Sequence, residues 1–314
     1  MHYLISVVVP LYNKRYSIEG CLRSVLAQTF KPFEIIIVDD GSTDDSSLIV
    51  AAIIEEHSNA SVKLVSQVNA GVSSARNLGI KLAAGEYVAL LDADDEWSNE
   101  YLFEMNALIG KCPDASMYSS FHCIADDESN LFVPACSLPE GFAGYVDNYF
   151  DLSVSTPLVN SSKVILNKES VLALGGFPVD AVLTEDLFLW FMMASNYRVA
   201  FLNKVLVKVN QFADGSRLGR HNKAPFLISY FSKNYCFFRR LEKSKKRYLF
   251  SVYYKHFLGS LSDGRYSEAV FRLASGYKLF KLKSFFLMLL LLVPHPFFSF
   301  AKKSRRKILS GRNT

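Results

Sequence analysis

Residues 33–45 of the 314-residue chain read FEIIIVDDGSTDD, an apolar run rich in β-branched residues that ends in acidic and turn residues. Residues 86–95, EYVALLDADD, show the same pattern of an apolar run followed by acidic residues. Continuous apolar runs of this length predict strands that are buried on both faces of a sheet. Since ligands of open α/β sheets bind beyond the carboxyl ends of the strands, the two acidic clusters predict one shared crevice.

Strand and helix patterns alternate outward from these two stretches. Further strands are predicted at 4–9 and 62–65, and helices at 17–28, 45–56 and 73–83. Short connections between alternating elements predict an α/β fold with a mostly parallel, doubly wound sheet. Beyond residue 100 the pattern loosens, with helices predicted at 98–110, 168–174 and 185–195 and strands near 115–121 and 198–209.

Composition and charge narrow the class of protein. Half of the residues are hydrophobic and 21% are charged, which excludes a disordered chain. No acidic residue follows Glu268, whereas ten Lys and Arg residues do. Because the whole chain carries +5, the first 268 residues carry −5. A basic tail on an acidic body indicates an anionic partner surface, either nucleic acid or a phospholipid leaflet.

The cysteines and the N-terminus bear on the compartment. The five cysteines are odd in number and none has metal-ligand spacing: Cys21, Cys112, Cys123, Cys136 and Cys236. They predict free thiols in a reducing compartment. The chain begins without the basic region and cleavage site typical of a signal peptide, so we expect its body to stay in the cytoplasm.

The cluster after the strand at 33–38 allows two interpretations. Asp39 and Asp40 could accept hydrogen bonds from a nucleobase or a ribose. Alternatively, Gly41 makes a turn and Ser42 or Asp44 caps the next helix. The second interpretation leaves the adjacent Asp39 and Asp40 unexplained, because neighbouring like charges are unfavourable unless something binds there.

The cluster Asp92-Ala93-Asp94-Asp95 predicts a cation site. Oxygen ligands suit a hard divalent ion such as Mg²⁺ or Mn²⁺, which usually keeps waters and substrate phosphates as its other ligands. A calcium loop beginning at Asp92 is excluded, because Trp97 stands where glycine is required and Phe103 where glutamate is required. The alternative is a solvated acidic turn that caps the following helix.

Two further motifs lie on predicted helices. In NAGVSSARN, residues 69–77, Gly71 opens a helix and Arg76 lies inside it, an arrangement that favours phosphate. For Arg76 taken alone, a plain surface arginine is the favoured interpretation. The glycine patterns of nicotinamide and Walker-type sites are missing. In TEDLFLW, residues 184–190, Glu185 and Asp186 open an apolar helix, where spacing alone favours simple complementation of the helix dipole.

Five motifs in order give the chain a family resemblance. They are VVVPLYN (7–13), VDDGSTD (38–44), NAGVSSARN (69–77), LLDADD (90–95) and TEDLFLW (184–190). Their order and spacing over residues 4–215 resemble family 2 glycosyltransferases of the GT-A fold, which are inverting enzymes that use nucleotide-diphosphate sugars. The signature Q-x-x-R-W of processive polymerases is not found after Trp190, so the resemblance implies a non-processive enzyme.

The resemblance assigns a role to individual residues. The donor-binding set it implies is Pro10, Tyr12 and Asn13 in the loop after the first strand, Asp40 at the nucleobase, Arg76 on the donor, Asp94 at the ribose, and Asp92 in support. Asp95, with Asp94, would hold Mn²⁺ or Mg²⁺. Asp186 would be the catalytic base that deprotonates the acceptor hydroxyl, supported by Glu185 and Trp190.

The resemblance also divides the chain. Residues 1–100 would form the donor-binding half and residues 101–215 the acceptor-binding and catalytic-base half of one domain. Residues 216–314 would form a helical, basic and aromatic extension that associates with the membrane.

The tail supports this last expectation. Ser284 to Ala301 is an 18-residue stretch without a formal charge, and Pro294 and Pro296 would end a helix there after roughly ten residues. A spanning helix needs about 20 residues. We therefore favour a segment that dips into one leaflet over a full span or a buried core helix.

Together these observations predict a peripheral or monotopic glycosyltransferase on the cytoplasmic face of the plasma membrane. Its acceptor would be a glycan, lipid-linked as in bacterial surface polysaccharide assembly, and nucleic acid is not expected as a partner. The rival hypotheses are a nucleotidyltransferase of similar fold, for which only Lys14 and Arg15 could bind a triphosphate, and a catalytically inactive membrane-bound scaffold.

Overall fold

The fold is known from a computed structural model, which describes residues 2–126, 130–211, 223–293 and 296–298. The chain forms two compact units. The first comprises residues 1–149, 156–179 and 186–212, and the second comprises residues 150–155, 180–185 and 213–314. The predicted halves 1–100 and 101–215 therefore fall largely within the first unit.

One sheet runs through the first unit. Its strands are β1 (Ile5–Leu11), β2 (Glu34–Asp39), β3 (Val62–Ser66), β4 (Tyr87–Leu90), β5 (Glu96–Trp97), β6 (Ala115–Ala125), β7 (Leu131–Phe132), β8 (Ala143–Tyr145), β9 (Val164–Asn167) and β10 (Arg198–Asn210). The main order is β3-β2-β1-β4-β9-β6-β10-β5, with β7 beside β6 and β8 beside β10.

The first four strands form the parallel half of the sheet, as the sequence predicts. β1 lies between β2 and β4 and pairs in parallel with both, and β2 pairs in parallel with β3. Beyond β4 the prediction of a mostly parallel sheet is wrong. β9 is antiparallel to both of its neighbours, and β10 is parallel to β6 but antiparallel to β5 and β8.

The helices of this region are α1 (Ile18–Leu26), α2 (Ser46–Glu56), α3 (Val72–Leu82), α4 (Tyr101–Lys111), α5 (Tyr149–Leu152), α6 (Lys168–Ala173) and α7 (Glu185–Asn196). Every residue of β1, β2 and β4 is buried, in keeping with their continuous apolar sequences. α1 covers the sheet with Ile18, Cys21, Leu22 and Val25, which recur at helical spacing. Close packing of α3 depends on Gly79, where a Cβ atom would lie 2.3 Å from Cγ1 of Val8.

The elements that sequence analysis missed are short strands. β5 and β7 have two residues each, β8 has three and β9 has four, which is too short for an alternating pattern to be recognised. The helix predicted at 98–110 begins three residues later, since α4 starts at Tyr101.

The second unit is helical where it is described. Its helices are α8 (Phe226–Lys233), α9 (Tyr235–Arg240), α10 (Lys243–Ser262) and α11 (Tyr266–Met288), followed by a 3₁₀ turn at Leu289–Leu292. Within the described ranges, no helix has the length and apolar character that a bilayer crossing requires. Residues 294–295 and 299–314 of the predicted membrane-associating tail, with its last six basic residues, lie outside the described residues.

All five cysteines are free, as predicted. Cys21 and Cys112 are buried, and Cys236 is exposed.

Candidate active site

The candidate site lies where the carboxyl ends of β1, β2 and β4 meet. Leu11 of β1 is in register with Asp39 of β2, and Val8 of β1 is in register with Leu90 of β4. The polar segments that follow the three strands therefore share one edge of the sheet, as the sequence predicts for the two acidic clusters.

Hydrogen bonds join the loop after β1 to the loop after β2. The backbone N–H of Asn13 donates to Oγ of Ser42 at 3.0 Å, and the Asn13 Oδ1 accepts from the backbone N–H of Thr43 at 2.8 Å. Asn13 adopts a positive φ of 52° at this turn, and the side chain of Tyr12 is 47% exposed. Pro10 was expected in this loop, but it is a buried residue of β1 paired with Val38, so that part of the prediction is wrong.

Asp39 and Asp40 are both buried and hydrogen-bonded within the fold. Asp39 accepts from the backbone N–H of Ser42 at 2.9 Å and from the Ser47 hydroxyl at 2.5 Å. The Asp40 carboxylate accepts from the Gln67 side chain at 2.7 Å, and also from two backbone N–H groups at 2.8 Å, those of Ala70 and Gly71. The adjacent carboxylates thus do not require a ligand, which corrects our interpretation of the pair, and a nucleobase contact of Asp40 stays a prediction.

Two cations accompany the acidic loop after β4. Nη2 of Arg76 lies 2.6 Å from Oδ1 of Asp92, and Nζ of Lys14 lies 2.7 Å from Oδ2 of Asp94. The Asp92 and Asp94 side chains are each 33% exposed, whereas Arg76 is almost fully buried. Positive charge therefore already balances two carboxylates, and both of these carboxylates keep access to solvent.

Asp95 differs from its neighbours because it is buried. Its Oδ1 accepts from the backbone N–H of Asn210 at 2.8 Å, and its Oδ2 accepts from the hydroxyl of Ser162. Burial raises the pKa of Asp95 well above its usual range, and the charges of Asp92 and Asp94 raise that pKa further. Asp95 thus ties the acidic loop to β10, and its predicted metal contact stays a prediction.

The donor set fits a hard divalent ion in part. Asp92 and Asp94 offer carboxylate oxygens at the sheet edge, and Mg²⁺ or Mn²⁺ on a phosphate substrate is commonly held by one or two carboxylates, substrate oxygens and water. Across the part of the chain that the structure describes, no group of three or more His, Cys, Asp or Glu residues is placed to hold a metal ion.

Arg76 connects the acidic loop to α7. Its guanidinium carbon lies 5.2 Å from the ring centroid of Phe177, and the Phe177 ring meets the Trp190 ring edge-on at 5.7 Å. Asn77 holds the Phe177 backbone from both sides, donating to its carbonyl at 2.7 Å and accepting from its N–H at 2.8 Å. Trp190 is fully buried, so this helix position supports the site by packing.

Asp186 lies in the first turn of α7, four residues before Trp190. Residues four apart share one face of a helix, so Asp186 and Trp190 point to the same side. Oδ1 of Asp186 accepts from the backbone N–H of Leu187 at 2.7 Å, and the side chain is half-buried. Thr184 has a positive φ of 63° just before the helix, and Glu185 is buried.

Sequence analysis missed several residues that hold the site together. Ser162 contacts the acidic loop twice and β5 once. Its hydroxyl accepts from the Asp92 N–H at 3.2 Å and donates to Asp95, and its carbonyl accepts from Nε1 of Trp97 at 2.6 Å. Nδ2 of Asn210 donates to the Asp94 carbonyl at 2.6 Å. Neither residue belongs to a motif, so no signal in the sequence identified them.

A buried amine lies beside Ser162. Lys163 is fully buried, and its Nζ lies 3.1 Å from Nδ1 of His122 and 3.2 Å from the Pro157 carbonyl. Burial lowers the pKa of Lys163 to about 7, and burial together with Lys163 lowers the pKa of His122 to about 3. This pair joins the segment that carries Ser162 to β6.

Comparison with known proteins gives a family match over part of the chain. Residues 6–136, which contain β1 to β4 and the acidic loop, match the model of glycosyl transferase family 2. These residues resemble a family 2 glycosyl transferase domain. Of the five motifs, four lie inside the matched residues and TEDLFLW lies beyond them.

Curated glycosyltransferases match parts of the chain. The uncharacterized glycosyltransferase YibD of Escherichia coli K12 is 48% identical over 92 residues, 29% of this chain and 26% of YibD. The glucosyltransferase WfgD of Escherichia coli, described as acting from UDP-Glc on α-D-GlcNAc-diphosphoundecaprenol, is 28% identical over 202 residues, 64% of this chain and 74% of WfgD. The chain spans 26% and 32% of the length of two of the first curated relatives that it matches.

Solved structures show the same fold beyond the residues that match family 2. Staphylococcus aureus TarS 1–349 in complex with UDP-GlcNAc matches with a TM-score of 0.69 and 23% identity, over 87% of this chain and 79% of TarS. The mannosyltransferase PcManGT of Pyrobaculum calidifontis, in complex with GDP-Man and Mn²⁺, matches with a TM-score of 0.61 and 20% identity, over 99% of this chain and 86% of PcManGT. These likenesses establish a GT-A-like α/β fold with a mixed sheet.

Proposed function

We propose that the chain is a metal-dependent, inverting and non-processive glycosyltransferase that transfers a sugar from a nucleotide-diphosphate donor to a glycan hydroxyl. The observation that carries the proposal is the acidic loop Asp92–Asp95 within the residues that match family 2. Its exposed carboxylates lie beside Arg76 and Lys14 at the carboxyl edge of the parallel strands. The carboxylates suit a divalent cation, and the two basic side chains suit the diphosphate that this cation accompanies.

In this proposal Asp94 holds Mn²⁺ or Mg²⁺, with Asp92 and Asp95 in support. The ion offsets the charge that develops on the departing diphosphate. The exposure of Asp94 supports its role, because an ion bridging protein and substrate must reach both. Asp95 acts through its bonds to Ser162 and Asn210, which fix the loop backbone.

Arg76 and Lys14 are the proposed contacts of the donor phosphates. The Arg76 side chain is held by Asp92 and by the face of Phe177, so its guanidinium is oriented before a ligand arrives. A preorganised guanidinium can form two parallel hydrogen bonds to phosphate. Tyr12 presents an exposed ring in the loop after β1, where it could pack against a nucleobase whose edge binds near Asp40.

Asp186 is the proposed general base. The acceptor hydroxyl must lose its proton as its oxygen attacks the anomeric carbon, and a carboxylate within hydrogen-bond reach can take that proton. Attack from the face opposite the departing diphosphate inverts the anomeric configuration. The half-exposed position of Asp186 at the start of α7 supports this role, since the buried Glu185 is less accessible.

The proposed donor is a UDP-sugar, and the proposed acceptor is a lipid-linked glycan of bacterial surface polysaccharide assembly at the cytoplasmic face of the membrane. WfgD is described with a UDP-Glc donor and a diphosphoundecaprenol acceptor, and TarS is crystallised with UDP-GlcNAc. Both descriptions support this choice of substrates.

Ligand-observed binding against a panel of UDP-, GDP- and CMP-sugars, each with Mn²⁺, tests the proposal. We expect binding of UDP-sugars, together with slow release of UDP from the matching donor. Binding without any turnover of donor, in the presence of acceptor lipid, would instead favour an inactive scaffold. Binding of nucleoside triphosphates in preference to nucleotide sugars would favour a nucleotidyltransferase.

A further inference from the structure

A basic pocket of about 480 Å³ lies within the second unit, bordered by α9, α10 and α11. Five cationic side chains line it: Arg239, Lys243, Lys246, Arg247 and Lys283. None of the described residues that line the pocket is acidic. Arg247 pairs with Asp151, whereas the other four cations have no ion-pair partner within the described ranges. Clustered cations of which only one is paired favour the binding of an anion.

The surroundings do little to neutralise the pocket. Residues 223–293 contain fourteen Lys and Arg residues but only three Asp and Glu residues. Two of these acids, Asp263 and Glu268, pair with Arg265 between α10 and α11, and Glu268 also pairs with Arg272. The third, Glu242, directly precedes Lys243 and is the one acid next to the pocket lining in this range. The pocket therefore lies in a strongly positive part of its own unit.

Aromatic residues form the wall of the pocket and hold its lysines. Nζ of Lys246 lies 5.8 Å from the ring centroid of Phe238, and Nζ of Lys283 lies 4.0 Å from that of Phe250. Phe280 packs edge-on against Phe238 at 5.6 Å and stacks on Tyr253 at 5.3 Å. Lysines seated on ring faces are oriented before binding. The pocket's own aromatic lining, Tyr235, Phe238 and Phe280, gives it an apolar side.

Exposed apolar side chains continue directly from the pocket along α11 and the 3₁₀ turn. Phe285 is 58% exposed, Phe286 57%, Leu289 55% and Leu292 82%. Ser284 and Leu287 of the same segment are buried, so one face packs inward while the other faces solvent. A basic pocket that ends at Lys283 is thus followed, within about ten residues, by an exposed apolar surface.

We propose that this pocket binds the phosphate headgroup of an anionic phospholipid, while the exposed side chains of residues 285–292 enter the acyl region of the same leaflet. The order of charge and apolar surface matches a phospholipid, which carries its phosphate directly above its hydrocarbon chains. The pocket belongs to the second unit, whereas the proposed donor contacts are residues of the first, so the inference goes beyond the proposed function.

The test compares two triple variants of the full chain. The pocket variant carries Arg239→Gln, Lys243→Gln and Lys283→Gln. The control variant carries Arg240→Gln, Lys245→Gln and Lys281→Gln, which removes the same charge from the same three helices at positions that do not line the pocket. Basic residues beyond 298 are retained in both variants, so their attraction to a membrane cancels in the comparison. Thermal unfolding confirms that both variants fold.

Co-sedimentation with vesicles of phosphatidylglycerol in phosphatidylcholine measures the partition coefficient. Both variants lose three cations near an anionic surface, each worth about fivefold, so both should bind more weakly than wild type. The pocket variant should bind at least about tenfold more weakly than the control variant, because only the pocket variant also loses hydrogen bonds to the phosphate. Phosphatidylcholine vesicles should bind the wild-type chain weakly.

Three results would overturn the proposal. Equal loss in both variants would mean that net charge alone attracts the protein. Equal binding to neutral and anionic vesicles would mean that apolar insertion suffices. Strong, pocket-dependent binding to neutral vesicles doped with a polyprenyl diphosphate, without a response to phosphatidylglycerol, would assign the pocket to that lipid instead.

Discussion

Arg76 and Asp92 form an ion pair in which Nη2 lies 2.6 Å from Oδ1, and the arginine side chain is only 5% exposed. The pair joins α3 to the loop after β4, while the Phe177 ring lies on the other side of the guanidinium. Arg76 is thus a buried cation at the edge of a solvent-accessible acidic loop. Such a group is suited to receive a second anion beside the one it already holds.

Arg76→Met should weaken nucleotide binding while the fold persists. Hydrogen bonds to charged groups contribute about 1.5–3 kcal/mol, so the Kd for UDP should rise roughly 10- to 150-fold in calorimetric titration. Arg23→Met is the matched control, because Arg23 pairs with Glu56 on the exposed face of α1. Equal UDP affinity in the Arg76 variant and in wild type would remove Arg76 from the donor site.

Asp94 and Asp95 should respond differently to replacement by alanine. Asp95→Ala leaves the Ser162 hydroxyl and the Asn210 N–H without their acceptor, which should lower the free energy of unfolding by about 1–3 kcal/mol. Asp94→Ala removes a partly exposed ion pair with Lys14, which is worth about 0–1 kcal/mol. Urea unfolding of both variants measures the difference, and a larger loss for Asp94→Ala would contradict the assignment of Asp95 to the interior.

Asp186→Asn should retain donor affinity but lose transfer. An amide cannot accept the proton of the acceptor hydroxyl, and general-base catalysis typically contributes about 10²–10⁴-fold. The rate of sugar transfer to an acceptor lipid is the measurement, with the Kd for UDP as the check on binding. Glu185→Gln serves as the control, and a loss of transfer confined to that variant would move the base to Glu185.

Lys163 should make stability depend on pH. Its pKa is lowered from 10.5 to about 7 in the folded chain, so between these values the unfolded chain binds the additional proton. Stability therefore rises with pH across this window, and the penalty for burying the charge is complete below pH 7. Relative to Lys163→Met, wild type should gain about 2 kcal/mol between pH 7.5 and 9 in urea unfolding. If the free energy of unfolding of wild type and that of Lys163→Met changed equally with pH, the buried amine would not titrate between pH 7.5 and 9.

The parallel half of the fold follows from local pattern. β1, β2 and β4 are continuous apolar runs, and each is followed by turn residues, so both their existence and the edge at which Asp40 and Asp92 lie could be predicted. The antiparallel placement of β9 between β4 and β6 could not. β9 is only four residues long, and its partners are set by contacts distant in the chain rather than by its own sequence.

The sequence predicted where the acidic clusters lie, but not which groups compensate their charge. Adjacent carboxylates suggested bound ligands, yet Asp39 and Asp40 are satisfied by backbone N–H groups and side chains of the same fold. The cations that balance Asp92 and Asp94 come from α3 and from the loop after β1. Charge compensation between distant segments becomes visible only once the segments are brought together.

The most direct test of the account is the metal dependence of UDP binding. Calorimetric titration of UDP into the wild-type chain, with Mn²⁺ and then with EDTA, should show binding that is lost or strongly weakened without the ion. Asp94→Asn should bind UDP weakly under both conditions, because its amide is a poor ligand for a hard cation. UDP affinity that is unchanged by EDTA, and unchanged by Asp94→Asn, would contradict the proposed metal-dependent donor site.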